Sequence, residues 1–126
     1  AWAALGTGKA EILVAVLDSG IDCQHPDLAG NLWTNPNDPP GDALPTGNPD
    51  GDPDDDHNGW VDDVHGIDTL NPGQPPCDAT GHGTWTASII GAVGNNGDAG
   101  TAGESIAGVV WKTGIVSCKM MFAGSS

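Results

Sequence analysis

Two residues of this sequence, Asp18 and His82, have the types and settings that proton-transfer chemistry needs. Asp18 directly follows the apolar run 12–17, and in open α/β sheets functional residues collect beyond the carboxyl ends of strands. His82 lies between two glycines at the start of a helical pattern, where the helix dipole disfavours a positively charged imidazole. When the two side chains touch, a carboxylate and a neutral imidazole form the base half of a nucleophilic triad.

Each residue also has a simpler interpretation. Asp18 could form an Asx turn with Ser19 and Gly20 that ends the strand. His82 could serve only to cap the helix. A contact between the two side chains would favour the catalytic interpretation over both alternatives.

The surrounding sequence predicts the elements that would position this pair. Residues 12–17 form an apolar run without alternation, which is typical of a strand buried on both faces of a parallel sheet. A helical pattern covers residues 85–93 and ends at the Gly/Asn-rich residues 94–97. Further strands are predicted near 64–67 and 115–121. Strands and a helix in this order indicate an α/β architecture.

Composition excludes several kinds of partner. The chain has 126 residues and a formal net charge of -14, because 17 acidic side chains oppose 3 basic ones. Such a charge repels phosphates, so we expect no nucleic-acid partner and no binding to an anionic membrane surface. No apolar run approaches the roughly 18–20 residues of a membrane span. The sequence does not indicate an oligomeric state.

An acidic segment carries oxygen ligands at alternate positions. Asp54, Asp56, Asn58 and Gly59 match the opening of an EF-hand-type calcium loop. His65 replaces the bidentate glutamate of that loop, so a complete EF-hand is excluded. Hard oxygen ligands favour Ca²⁺, and the alternative is a solvated acidic turn. The predicted ligands in this segment are Asp52, Asp54, Asp56, Asn58, the carbonyl of Trp60, Asp62 and Asp63.

Several ordered motifs resemble those of the subtilisin-like serine proteases. DSGID at 18–22 and HPDL at 25–28 resemble the aspartate motif of that family, and GHGTWTASII at 81–90 resembles its histidine motif. NGWVDDVHG at 58–66 and IAGVVW at 106–111 match further segments. The order of aspartate before histidine is that of subtilisin. The sequence is therefore identified as a member of this family.

The resemblance implies an α/β fold whose parallel sheet has helices on both faces, with only its N-terminal part present. Residues 1–126 would be the N-terminal fragment of one catalytic domain, with an acidic Pro/Asp-rich loop at about 35–80. Asp18 would orient His82, which would take the proton of a serine and pass it to the leaving amine. The nucleophile motif of the family is not in this sequence, so we expect the fragment alone to be inactive.

The resemblance also implies roles for residues outside the pair. Gly124 and Ser125 follow the last predicted strand, where the family binds the substrate backbone; a surface turn is the alternative. Asp27, with the Asn95-Asn96 loop, would form a second calcium site. Trp85 departs from the family pattern and would pack beneath the helix or line the substrate groove.

The three cysteines allow one disulfide bond. Cys23 and Cys77 are predicted in loops near the catalytic candidates, and their pairing is a hypothesis. Cys118 is predicted to be a buried core residue. No Cys/His spacing typical of a structural zinc site occurs.

These features favour a secreted, calcium-stabilised serine endopeptidase that acts on polypeptides. Secretion is implied by the resemblance and by the calcium available outside cells. The alternatives are a calcium-binding structural module, which would not explain Asp18 and His82, and a catalytically inactive subtilase relative.

Overall fold

The structure of this chain is a computed structural model that describes residues 3, 6–37, 54, 56–96 and 106–121. Within these ranges the elements are β1 (Gly8–Asp18), β2 (Gly66–Asp68), α1 (His82–Gly91) and β3 (Lys112–Lys119). Both strand pairings are parallel, and α1 packs against β1 and β3. The predicted α/β class with a parallel sheet is confirmed.

The sheet has the order β1-β3-β2, so the last strand in sequence lies in the middle. The register brings the carboxyl ends of the three strands together, since Asp18 of β1 and Asp68 of β2 both lie opposite Lys119 of β3. Lys119 Nζ forms a buried ion pair with Asp68 at 3.2 Å. The carboxyl ends of the strands, where β1 finishes at Asp18, therefore form the polar edge of the sheet.

The core lies between the sheet and α1. Its buried residues are Val16, Ile21, Leu28, Ala87 and Ile115, with Leu32 and Ile90 packed against them. The helix approaches β3 closely at Gly91, where an added Cβ would lie 2.8 Å from the Thr113 side chain and 3.0 Å from that of Ile115. Burial of these apolar side chains fixes α1 over the sheet.

The prediction that the first strand is buried on both faces is wrong for the structure described. Ile12, Leu13 and Leu17 are each more than half exposed, whereas Val16 is buried. The reason is that Val16 packs in the core with Ala87 of α1, whereas the described residues supply no layer over Ile12, Leu13 and Leu17. In the central strand β3, by contrast, every residue after Lys112 is buried or half-buried.

No helix among the described ranges has both the length and the apolar character needed to cross a lipid bilayer. Three predicted site residues, Asp52, Gly124 and Ser125, lie outside the described residues.

Candidate active site

Two glycines allow the end of β1 and the start of α1 to meet. A Cβ on Gly83 would overlap the carbonyl oxygen of Gly20 and lie 3.1 Å from the Cβ of Asp18. Gly20 itself has φ 101° and lies against the backbone of residues 76 and 77, where a Cβ would be 2.7–2.8 Å from backbone atoms. Only glycine combines this conformation with this proximity. The first residue of α1, His82, is thereby held next to Asp18.

The predicted contact between Asp18 and His82 is present. Nδ1 of His82 lies 2.7 Å from Oδ1 of Asp18, across 64 positions of sequence. Since an ionised carboxylate only accepts hydrogen bonds, Nδ1 carries the proton in this arrangement, and Nε2 of a neutral ring is the proton acceptor. The His82 side chain is 61% exposed, against 9% for Asp18, so the ring is open to an incoming group.

Asp18 is held ionised by its neighbours. Burial by itself would raise the pKa of its carboxyl, but hydrogen bonds from His82 and from the Ser19 N–H outweigh burial and leave the pKa below its ordinary value. The Thr86 hydroxyl adds a contact of 3.3 Å to Oδ2. The Ser19 N–H bond is the Asx-type interaction expected of a strand end, but this turn does not account for the bonds to two side chains of α1.

Ser19 connects the segments of the two catalytic candidates through its hydroxyl. Its Oγ accepts a hydrogen bond from the Gly83 N–H at 2.9 Å and donates one to Oδ1 of Asp78 at 3.1 Å. Ser19 is 2% exposed, so both bonds lie inside the protein. The hydroxyl therefore links the residue after Asp18 to the residue after His82.

Asp78 caps the helix from a distance. The N-cap residue, Gly81, has no side chain to bond the free N–H groups of the first turn. Asp78 accepts from the Gly81 N–H at 3.0 Å, and from the N–H and hydroxyl of Thr84 at 3.0 and 2.7 Å. Burial opposes ionisation of Asp78, but these bonds and that from the Thr80 N–H lower its pKa well below the usual range.

The roles of Ser19 and Asp78 were not predicted from the sequence. A usable signal was present for Asp78, because an acidic residue just before a helix that begins with glycine is a candidate cap. Thr84 extends the same network, since its Oγ1 accepts the Asp22 N–H at 3.0 Å while it donates to Asp78. No local sequence pattern predicts the bonds from Ser19 to Asp78 and from Asp22 to Thr84, whose partners are 59 and 62 positions apart.

The predicted calcium ligands are brought together only in part. Asp56 and Asp63 are bridged by two amides: Asn35 Nδ2 lies 2.9 and 2.7 Å from their carboxylates, and Asn58 Nδ2 lies 3.0 and 2.9 Å from them. The hydrogen bond from Asn35 is the main reason that the pKa of Asp56 is lowered. Asp54 instead accepts backbone N–H groups of the turn. Asn35 was not among the predicted ligands.

Within the described part of the chain, no three His, Cys, Asp or Glu side chains are grouped so that they could hold a metal ion. Asp62 has a positive φ of 52°, and Trp60 donates its N–H to Oδ1 of Asn58. The calcium prediction for this segment therefore stays a prediction.

Asp27 is placed near the loop predicted to accompany it. Its buried carboxylate accepts from Nδ2 of Asn96 at 2.9 Å and from the Ile106 N–H at 3.0 Å. Asp27 is therefore hydrogen-bonded both to Asn96 and to Ile106, the residues that flank 97–105; those nine residues lie outside the described ranges.

Trp85 does not pack beneath α1. Its side chain is 68% exposed, and with His25, Ile89 and Ile106 it lines a cavity of about 370 Å³. The alternative, that Trp85 lines the substrate groove, stays a prediction. Cys118 is half-buried in β3, which is less burial than predicted.

Comparison with known proteins gives one consistent result. Residues 9–126 match the Subtilase family. The chain is 40% identical over 108 residues to subtilisin-like protease 1 of Plasmodium vivax and 36% identical over 109 residues to that of Plasmodium berghei (strain Anka), in both cases over 86% of this chain. It is 34% identical over 100 residues to furin of Rattus norvegicus, over 79% of this chain. These matches span 15%, 16% and 10% of the three relatives, so the chain is similar to a small part of each.

Proposed function

This chain belongs to the subtilase family, and from that premise we propose that it supplies the aspartate and histidine of a serine endopeptidase that cleaves polypeptides. The main support is the 2.7 Å hydrogen bond between Asp18 and His82 at the polar edge of the sheet. A calcium-binding structural module would not require this contact. The full protease activity is assigned to the longer protein that would contain these residues as the N-terminal part of one catalytic domain.

His82 acts as the general base in this proposal. Its Nε2 takes the proton of the serine hydroxyl as the oxygen attacks the peptide carbonyl, and later gives that proton to the leaving amine. The proton on Nδ1 stays in its hydrogen bond with Asp18. The negative charge of Asp18 stabilises the imidazolium that forms, and its hydrogen bonds to Ser19 and Thr86 keep the carboxylate aligned.

Substitution of each member of the pair in the full-length protein tests the proposal. We expect His82→Ala and Asp18→Asn to lower kcat by about four orders of magnitude, as for other triads. Asp22→Asn is the matched control, because Asp22 is an exposed aspartate in the same loop whose carboxylate accepts the Gln24 N–H. A His82→Ala enzyme with unchanged kcat and an intact fold would show that the assignment is wrong.

We further propose that the acidic segment binds a structural Ca²⁺, with Asp52, Asp54, Asp56, Asn58, Asp62, Asp63 and the carbonyl of Trp60 as candidate ligands, and Asp27 at a second site. The support is the approach of Asp56 and Asp63 to the same two amides. Two carboxylates so close repel unless a cation or hydrogen-bond donors separate them. Rotation of the two asparagine amides would present oxygen atoms where nitrogen now lies. Ca²⁺ would neutralise the segment and hold its turns together.

Secretion of the parent protein is part of the same proposal. It is supported by membership of a protease family and by an acidic segment suited to the calcium concentrations outside cells. Polypeptide binding by Gly124 and Ser125 also stays a prediction, since both lie outside the described residues.

A further inference from the structure

Two cysteines that are far apart in sequence lie side by side in the structure. The Sγ atoms of Cys23 and Cys77 are 3.5 Å apart, across 54 positions. Cys118 lies on β3, and no other thiol contacts it within the described residues. The close pair is therefore specific to two of the three cysteines.

The backbone holds this pair in place. Ile21 forms a parallel bridge with Cys77. The Ile21 N–H donates to the Pro76 carbonyl at 3.1 Å, and the Asp78 N–H donates to the Ile21 carbonyl at 3.2 Å. Cys23 follows Ile21 by two residues, so its thiol is carried by a segment already hydrogen-bonded to the segment that carries Cys77.

We propose that Cys23 and Cys77 form an oxidisable dithiol, and that their disulfide bond joins the loop after β1 to the loop before α1. The first loop begins at Asp18, and the second leads to His82. The bond would therefore fix the approach of the two segments that supply the catalytic pair. Formation of this disulfide bond is cysteine chemistry and does not depend on peptide hydrolysis.

Cys77 is the better nucleophile of the two. The hydrogen bond between the sulfur atoms and the positive charge of Lys119 lower the pKa of Cys77 to about 7. The same sulfur contact, together with burial, raises the pKa of Cys23. Lys119 is held in position because its Nζ donates to the Cys77 carbonyl at 3.0 Å and pairs with Asp68. A thiolate forms at Cys77 near neutral pH, and the thiolate is the reactive species.

Oxidised glutathione is a suitable disulfide oxidant for this reaction. The Cys77 thiolate attacks one of its sulfur atoms, the glutathione S–S bond breaks, and one glutathione thiolate leaves. Cys23 then gives its proton to water and attacks the Cys77 sulfur, and the second glutathione thiolate leaves. Two protein thiols are oxidised, and the oxidant accepts two electrons and ends as two molecules of reduced glutathione.

Disulfide mapping of the folded full-length protein tests the pairing. The protein is incubated with oxidised or with reduced glutathione, free thiols are alkylated, and the chain is cut before aspartate residues. This cut places Cys23 in residues 22–26 and Cys77 in residues 68–77. We expect these two peptides to be joined after oxidation and separately alkylated after reduction. The Cys118→Ser variant is the matched control and should give the same joined peptides.

Two results would overturn the proposal: alkylation of both Cys23 and Cys77 in the oxidised sample, or a bond from either of them to Cys118.

Thermal melting tests the structural consequence. The oxidised protein should melt about 5 °C or more above the reduced protein, and Cys23→Ser should abolish the difference while Cys118→Ser keeps it. Equal melting of the mapped disulfide form and the dithiol form would show that the bond does not fix the two loops.

Discussion

The hydroxyl of Ser19 accepts a hydrogen bond from the backbone N–H of Gly83 at 2.9 Å, so the residue after Asp18 is bonded to the residue after His82. This bond is a second link between the segments of the two catalytic candidates, and the same hydroxyl donates a hydrogen bond to Asp78. The geometry of the pair therefore depends on buried polar groups that are not members of the pair.

Ser19→Ala should destabilise the protein by about 1–3 kcal/mol, because it leaves the buried Gly83 N–H without its acceptor. The measurement is the free energy of unfolding in urea. Ser88→Ala is the matched control: Ser88 is also buried, and its hydroxyl has no hydrogen bond within the described residues. If the two variants were equally stable, the Ser19 bond would contribute nothing.

Asp78→Asn should lower stability at neutral pH by about 1 kcal/mol, because it removes a negative charge near the start of α1 while an amide oxygen can still accept hydrogen bonds. The pKa of Asp78 is lowered from its ordinary value of 3.8, so its carboxylate stabilises the fold above that pH, and the contribution is lost as the pH falls below 3.8 through the folded-state pKa. Unfolding curves measured from pH 7 to pH 2 should show the difference from wild type shrinking in acid. A difference that stayed constant over this range would contradict the assigned charge.

Gly83→Ala should destabilise the protein, although alanine is normally favoured over glycine inside a helix. The added Cβ would overlap the Gly20 carbonyl oxygen, and separating the two segments costs about 1–3 kcal/mol. The proposed protease activity of the full-length protein should also show a lower kcat, since His82 moves away from Asp18. Gly30→Ala is the control, because its new Cβ would meet only a Val93 methyl group, at 3.3 Å. A more stable Gly83→Ala protein would refute the packing argument.

Calcium should raise the melting temperature of the full-length protein, and EDTA should lower it. The double variant Asp56→Asn/Asp63→Asn should lose most of this response, because it removes two of the charges that the cation would neutralise. Asp22→Asn, an aspartate substitution outside the acidic segment, should keep the response. An identical melting curve with calcium and with EDTA would remove the calcium proposal for this protein.

The residue types and local patterns of the sequence determined the class of the fold and the catalytic candidates. A strand before Asp18 and a helix close to His82 follow from apolar runs and glycines within a few neighbouring residues, and both elements are present. The helix was predicted over 85–93 and lies at His82–Gly91. Such patterns depend on interactions that a short segment contains within itself.

Tertiary structure alone decided which distant groups meet. Three links join segments that are separated by up to 64 positions: those from Ser19 to Gly83 and Asp78, the bridging of Asp56 and Asp63 by Asn35, and the approach of Cys23 to Cys77. The exposure of Leu13 and Leu17 likewise depends on which elements pack against the faces of the sheet. No short segment specifies these contacts, because each depends on how the sheet orders its strands and how closely glycine lets α1 approach β1.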